Sequence, residues 1–173
     1  AYALAIGDSG DIYVTGYSED YKEDACTTIK YNNAGEQQWV ARYDGPVSDG
    51  RDQGRYITID KNGFIYVSGF SEGDNSRRDY ATLKYDPDGT ELWAARYDGS
   101  AHSTDEISAI TVSDSGHVFV TGHSYNASRN YDIVTVKYDE NGNEQWVATH
   151  DGEAAGNDNA RAIAADDSGN VYI

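Results

Sequence analysis

Gly10-Asp11-Ile12-Tyr13-Val14-Thr15-Gly16 returns as Gly63-Phe64-Ile65-Tyr66-Val67-Ser68-Gly69 and again as Gly116-His117-Val118-Phe119-Val120-Thr121-Gly122. Gly169-Asn170-Val171-Tyr172-Ile173 starts a fourth copy. The steps 63−10, 116−63 and 169−116 are each 53 residues. A fixed period of that size marks a stack of like supersecondary units. The order of such a stack is readable before any single side chain is interpreted.

The second copy shows the unit most clearly. Residues 55–60 are rich in β-branched and aromatic residues, and Lys61-Asn62-Gly63 makes a turn. Residues 64–70 read as a second strand, 79–85 as a third and 90–97 as a fourth. Asp86-Pro87-Asp88-Gly89 closes the third strand, while polar stretches at 71–78 and 98–105 make longer connections. Each unit is therefore four short strands, A to D, joined by tight, long, tight and long connections. In strand B, Ile12, Val14 and Gly16 alternate with Tyr13, Thr15 and Tyr17, so both faces are substantially apolar. That is the pattern of a sheet covered on both sides. Repeated four-stranded antiparallel units of this length predict β-propeller blades, with the B–C and D–A connections sharing one face.

The recurring residues also carry a family likeness. Thr28-Ile29-Lys30-Tyr31, Thr82-Leu83-Lys84-Tyr85 and Thr135-Val136-Lys137-Tyr138 follow the glycine-bounded strand. They lead to Gly35 and Trp39, Gly89 and Trp93, and Gly142 and Trp146, then to Tyr43-Asp44-Gly45 and Tyr97-Asp98-Gly99. The third copy departs at His150-Asp151-Gly152. This combination resembles the bacterial and archaeal beta-propeller repeat family abbreviated SBBP, over nearly the whole chain. The resemblance implies a part of a large secreted or surface-attached protein of a bacterium or archaeon, and it supplies no catalytic motif. Asp86-x-x-Gly89-x-x-x-Trp93 also resembles the tryptophan-docking motif of quinoprotein propellers, where the Trp locks adjacent blades.

The reading divides the chain into blade 1 at 1–54, blade 2 at 55–106, blade 3 at 107–159, and two strands of an incomplete blade 4 at 160–173. The chain has no Met and opens inside a repeat. We expect an excerpt of a larger propeller, of about seven blades and roughly 370 residues if the period holds.

Thirty acidic against 13 basic residues give a net charge of −17. No Lys/Arg cluster offsets that field, which argues against nucleic acid as a partner. No apolar run is long enough for membrane insertion as a helix. A salt-adapted surface is a competing account of the acidity. The single cysteine, Cys26, excludes an intrachain disulfide and a Cys-rich zinc site. It occupies the strand position of Tyr80 and Ile133 and reads as a small core residue.

Trp39, Trp93 and Trp146 read as blade packing, and Lys30, Lys84 and Lys137 as a repeated structural contact to a carboxylate or a backbone carbonyl. Asp86-Pro87-Asp88-Gly89, Asp139-Glu140-Asn141-Gly142 and Asn32-Asn33-Ala34-Gly35 resemble the opening of a calcium loop. A tight hairpin with glycine at positive φ accounts for them without Ca2+. Asp52, Asp105 and Asp158 recur at 53-residue steps just before strand A. They either cap backbone N–H groups of the incoming strand or form a ring of acceptors for a cation or polar ligand. Asp44, Asp98 and Asp151 join them as ligand-binding candidates, and no cofactor is required. The B–C loops at 18–24, 71–79 and 124–132 vary over a constant frame, so a protein or glycan partner is expected there. Asn126-Ala127-Ser128 fits a glycosylation sequon. His117 and His123 share one face of strand B at about 20 Å, too far apart for one metal.

These observations predict an all-β, non-catalytic scaffold or adhesion module, extracellular or at the cell surface, as in a surface layer, sheath or filament. Its further partners are missing blades of the same chain or a host assembly. The alternative is part of a propeller enzyme (a polysaccharide hydrolase or lyase, or a quinoprotein) whose active site needs other blades.

Overall fold

The computed structural model describes residues 1–20, 23–153, 156–166 and 168–173, and among these every regular element is a β-strand. Three four-stranded antiparallel sheets follow one another along the chain. The first comprises β1 (Ala3–Ile6), β2 (Ile12–Asp20), β3 (Glu23–Tyr31) and β4 (Gln37–Tyr43). The second comprises β5 (Asp52–Ile59), β6 (Ile65–Glu72), β7 (Arg78–Tyr85) and β8 (Glu91–Tyr97). The third comprises β9 (Asp105–Val112), β10 (Val118–Tyr125), β11 (Tyr131–Tyr138) and β12 (Glu144–His150). A two-stranded ladder of β13 (Ala164–Ala165) and β14 (Val171–Tyr172) follows. Each sheet runs in simple sequence order, so neighbours in the chain are neighbours in the sheet.

The A–B and C–D connections are the same turn used repeatedly. Gly10, Gly63, Gly116 and Gly169 in A–B turns, and Gly35, Gly89 and Gly142 in C–D turns, all have φ between 81° and 86°. Only glycine adopts that conformation without strain. The residue three before each C–D glycine accepts two backbone N–H bonds. Asp86 Oδ1 takes Asp88 N and Thr90 N, and Asp139 Oδ1 takes Asn141 N and Asn143 N. Asn32 Oδ1 does the same for Ala34 N and Glu36 N. The calcium-like tetrapeptides are thus Asx turns, with one side-chain oxygen committed to the backbone.

Strand A begins earlier than the sequence reading placed it. β5 starts at Asp52 and β9 at Asp105, so the boundaries at 54/55 and 106/107 fall inside strands. The reason is a β-bulge: pairing jumps from Gly54–Gly69 to Tyr56–Ser68 and from Ile107–Gly122 to Ala109–Thr121. One extra residue, Arg55 or Ser108, breaks the period-two alternation that defines a strand on paper.

The core lies between sheets. Tyr13 and Cys26 of the first sheet pack with Ile65, Val67, Leu83 and Tyr85 of the second. Tyr66 and Tyr80 pack with Val118, Val120, Val134, Val136 and Tyr138 across the next joint. The middle sheet is consequently covered on both sides, and β6 is buried over seven of its eight residues. β12, at the outer edge of the third sheet, is exposed along its whole length. Burial pushes the Cys26 thiol up to about 12, leaving it a small hydrophobe rather than a nucleophile.

Candidate functional site

The repeated side chains fall into two groups at opposite ends of the sheets. At the tight-turn end, one row crosses strands B, C and D: Tyr13, Lys30, Trp39, then Tyr66, Lys84, Trp93, then Phe119, Lys137, Trp146. Each lysine ammonium lies 4.6–5.5 Å from the centre of an aromatic ring on its own sheet. Lys30 also pairs with Asp11 at 3.1 Å, and Lys84 donates to the Glu140 carbonyl of the next sheet at 3.1 Å.

The tryptophans reach across the joint. Trp39 Nε1 donates to the Pro87 carbonyl at 3.1 Å, and Trp93 Nε1 to the Glu140 carbonyl at 3.0 Å. Their rings lie over the next sheet's C–D glycine, where a Cβ on Gly89 or Gly142 would sit 2.6 Å from Trp39 or Trp93. Trp39 also meets Tyr85, and Trp93 meets Tyr138. Among the described residues Trp146 has only its own sheet's Phe119 as a ring partner, and 37% of its surface is exposed.

The long connections share the other end. The Glu72 N–H donates to the Arg51 carbonyl, Arg77 N to Ser103 O and Tyr125 N to Thr104 O. These bonds tie the second and third B–C loops to neighbouring D–A loops. Between them runs an open groove of about 560 Å³ lined by Val47, Glu72, Ser76, Arg77, Arg78 and Thr104. Arg78 is held there by Glu106 at 2.6 Å and by the Phe70 ring, while Arg77 is exposed. The first B–C loop, at 18–24, includes residues 21 and 22, which lie outside the described residues.

Asp52 and Asp105 are the first residues of their strands and are buried, at 3% and 0% exposure. They do not display a ring of open acceptors. Each caps the glycine amide of the preceding triplet: Asp52 takes Gly45 N at 2.7 Å, Asp105 takes Gly99 N at 2.7 Å, and Asp158 takes Gly152 N at 2.9 Å. The capped N–H thus belongs to the D–A loop and not to the incoming strand. A Cβ on Gly99 would collide with the Ser124 hydroxyl and the Asp105 carboxylate, which accounts for the glycine in Tyr-Asp-Gly. Asp44, Asp98 and Asp151 are exposed beside these caps. Asp98 meets His102 Nδ1 at 2.6 Å, and this contact raises the imidazole pKa.

Two further groups were not apparent from sequence. Asp79 joins Asp98 and Asp105, and Asp132 joins Asp151 and Asp158, with one carboxylate oxygen of each residue within 4.8 Å of the others. The first sheet places Ala25 where the others have Asp79 and Asp132. Arg96 on β8 lies at the first joint. Its Nη2 donates to Asp79 Oδ2 at 2.7 Å and to the Ser71 carbonyl at 3.1 Å, while Nη1 reaches the Ser71 hydroxyl. The signals were the 53-residue step from 79 to 132 and the change along the column of Arg42 and Arg96, whose counterpart on β12 is Thr149.

The sequon at Asn126 is engaged internally: Nδ2 donates to both Asp132 oxygens at 2.8 Å, and Oδ1 accepts Ser128 N. His123 stands edge-on to Tyr131 at 4.8 Å, and burial lowers its pKa. No protein-family model matches this chain, and no curated protein matches it either.

Proposed function

We propose that the three sheets are blades of a β-propeller, that the β13–β14 ladder is the inner half of a fourth, and that the whole acts as a non-catalytic scaffold or adhesion module. The observation that carries this reading is the docking joint. Trp39 and Trp93 each seat on the next sheet's glycine turn, and the same two parts face solvent at the outer sheets. Trp146 is 37% exposed, and among the described residues a Cβ on Gly35 would meet no atom within 4 Å. A knob at one end and its socket at the other form a heterologous pair, which closes a ring or extends an array. Further blades or a host assembly are the partners of these end faces.

The protein or glycan partner is assigned to the long-loop groove, where exposed Arg77 stands against an otherwise acidic surface. The resemblance to SBBP repeats supports an extracellular or cell-surface site in a bacterium or archaeon. Buried Asp52 and Asp105 support the non-catalytic reading, because one oxygen of each caps a backbone amide.

Sedimentation velocity over a range of chain concentrations, run beside turnover assays on polysaccharides, tests the proposal. The expected result is self-association that Trp146→Asp abolishes, with no turnover. A chain that stays monomeric at every concentration and cleaves polysaccharide would overturn it in favour of a propeller enzyme.

A further inference from the structure

Carboxylates are tolerated in a protein interior when a cation or hydrogen-bond donors face them. At the joint of the first and second sheets the protein supplies the cation itself. Arg96 donates to the Ser71 hydroxyl of its own sheet, beside Asp52, and Ala25 of the first sheet removes the third carboxylate. At the joint of the second and third sheets both features are reversed. Asp79 restores the third carboxylate, and Thr149 stands where an arginine would reach in from the third sheet.

The second joint is left with surplus negative charge. Three carboxylates converge there, and among the described residues the one guanidinium in reach, that of Arg96, is on Asp79 Oδ2. With His102 neutral the sum is −2. Asp105 is fully buried and Asp79 is 4% exposed, and among the described residues Oδ1 of each has no hydrogen-bond partner. The Ser124 hydroxyl lies near Asp105, but burial outweighs it and the Gly99 amide and raises the carboxyl pKa to about 6. Two buried, unpartnered carboxylate oxygens and an exposed third carboxylate form an oxygen-only donor set suited to a hard cation. Among the described residues, the groups facing this set are Arg96, His102, Tyr80 and Tyr97.

We propose that Asp79, Asp98 and Asp105 bind one divalent calcium-class cation, which does at the second joint what Arg96 does at the first. Asp79 and Asp98 come from the two ends of the β7–β8 hairpin and Asp105 opens β9, so the ion would clamp one sheet to the next. Water completes a coordination shell of six to eight oxygens on the exposed Asp98 side. The third-sheet group is not equivalent, because Asn126 already donates to both oxygens of Asp132. This inference does not rest on the scaffold reading and can fail without it.

Isothermal titration of the whole chain with Ca2+, in salt high enough to screen its −17 charge, tests the site. One saturable site is expected, with an affinity of roughly 10⁻³ M or tighter. Asp98→Asn, at an exposed position, should weaken it at least about tenfold, and Asp151→Asn should leave it unchanged. Thr149→Arg, which supplies the arginine, should also abolish it. Circular dichroism and melting establish that each variant is folded. The proposal is overturned if no saturable binding occurs, or if folded Asp98→Asn and Thr149→Arg chains titrate like the parent.

Discussion

Trp93 and Trp146 occupy the same position of the same strand in adjacent sheets, each paired with a lysine and packed on an aromatic residue of strand B. Trp93 adds a carbonyl, a tyrosine and a glycine turn from the next sheet, whereas Trp146 adds none of these among the described residues and remains 37% exposed. The glycines divide in the opposite direction. Gly142 and Gly35 share a φ near 81°, but only Gly142 lies under a tryptophan. Local sequence makes the knob and the turn, and the neighbouring sheet turns them into a joint. The repeat is therefore conformationally self-sufficient but energetically incomplete, as expected of units that each contact only their neighbours.

The sharpest break of this comparison is truncation. Trp93→Ala should destabilise the chain by about 3–5 kcal/mol, the usual range for a packed tryptophan. Trp146→Ala should cost about 1 kcal/mol or less, as for a side chain outside the core. Urea unfolding followed by circular dichroism measures both. Equal losses would mean that the third sheet's outer face is covered by something else. The glycines refine the contrast. Gly35→Ala should cost only the strain of a positive φ, on the order of 1–3 kcal/mol. Gly142→Ala should exceed it by about 1–3 kcal/mol, because its Cβ also overpacks against Trp93. If the two glycine substitutions cost the same, the indole is not held at the turn.

The period, the four-strand unit and the Trp-to-glycine spacing were legible because they recur in every copy and obey local rules of turn and strand. The groups that set the charge of the joints were not. Asp79, Asp98 and Asp105 are separated by a hairpin and a loop, and Ala25 breaks their recurrence in the first copy. Arg96 likewise has Arg42 and Thr149 as counterparts, so no column of the repeat marks it. Sequence reasoning therefore found Asp105 and its repeats and offered a backbone cap or a ring of acceptors, but not that the capped amide belongs to the D–A loop rather than the incoming strand. Strand A was misplaced for a related reason: its bulge hides two or three residues of pairing from any alternation rule. What recurs is readable; what differs between copies acts through space and needs the fold.

The last comparison sets the two joints against each other by pH. Burial raises the Asp52 pKa above its usual 3.8, opposed by the Ser71 hydroxyl, the Gly45 amide and the Arg96 charge. A carboxyl whose folded pKa is raised contributes stability that is complete below about pH 4, where it is protonated in both states. That contribution is lost as pH rises through the folded pKa. Asp52→Asn keeps an acceptor for Gly45 N and removes the titration. Relative to the parent, its unfolding free energy should therefore be flat at low pH and climb as pH rises beyond about 4. Denaturant titrations at a series of pH values, in chelator, give this difference directly. The corresponding rise for Asp105→Asn should extend up to about pH 6, because burial, helped by the nearby Asp79 and Asp98 charges, raises that carboxyl to about 6. A shared midpoint for the two variants would show that Arg96 does not distinguish the joints. Separated midpoints would show that the two positions that differ between copies, Arg96 against Thr149 and Ala25 against Asp79, give the two interfaces different chemistry.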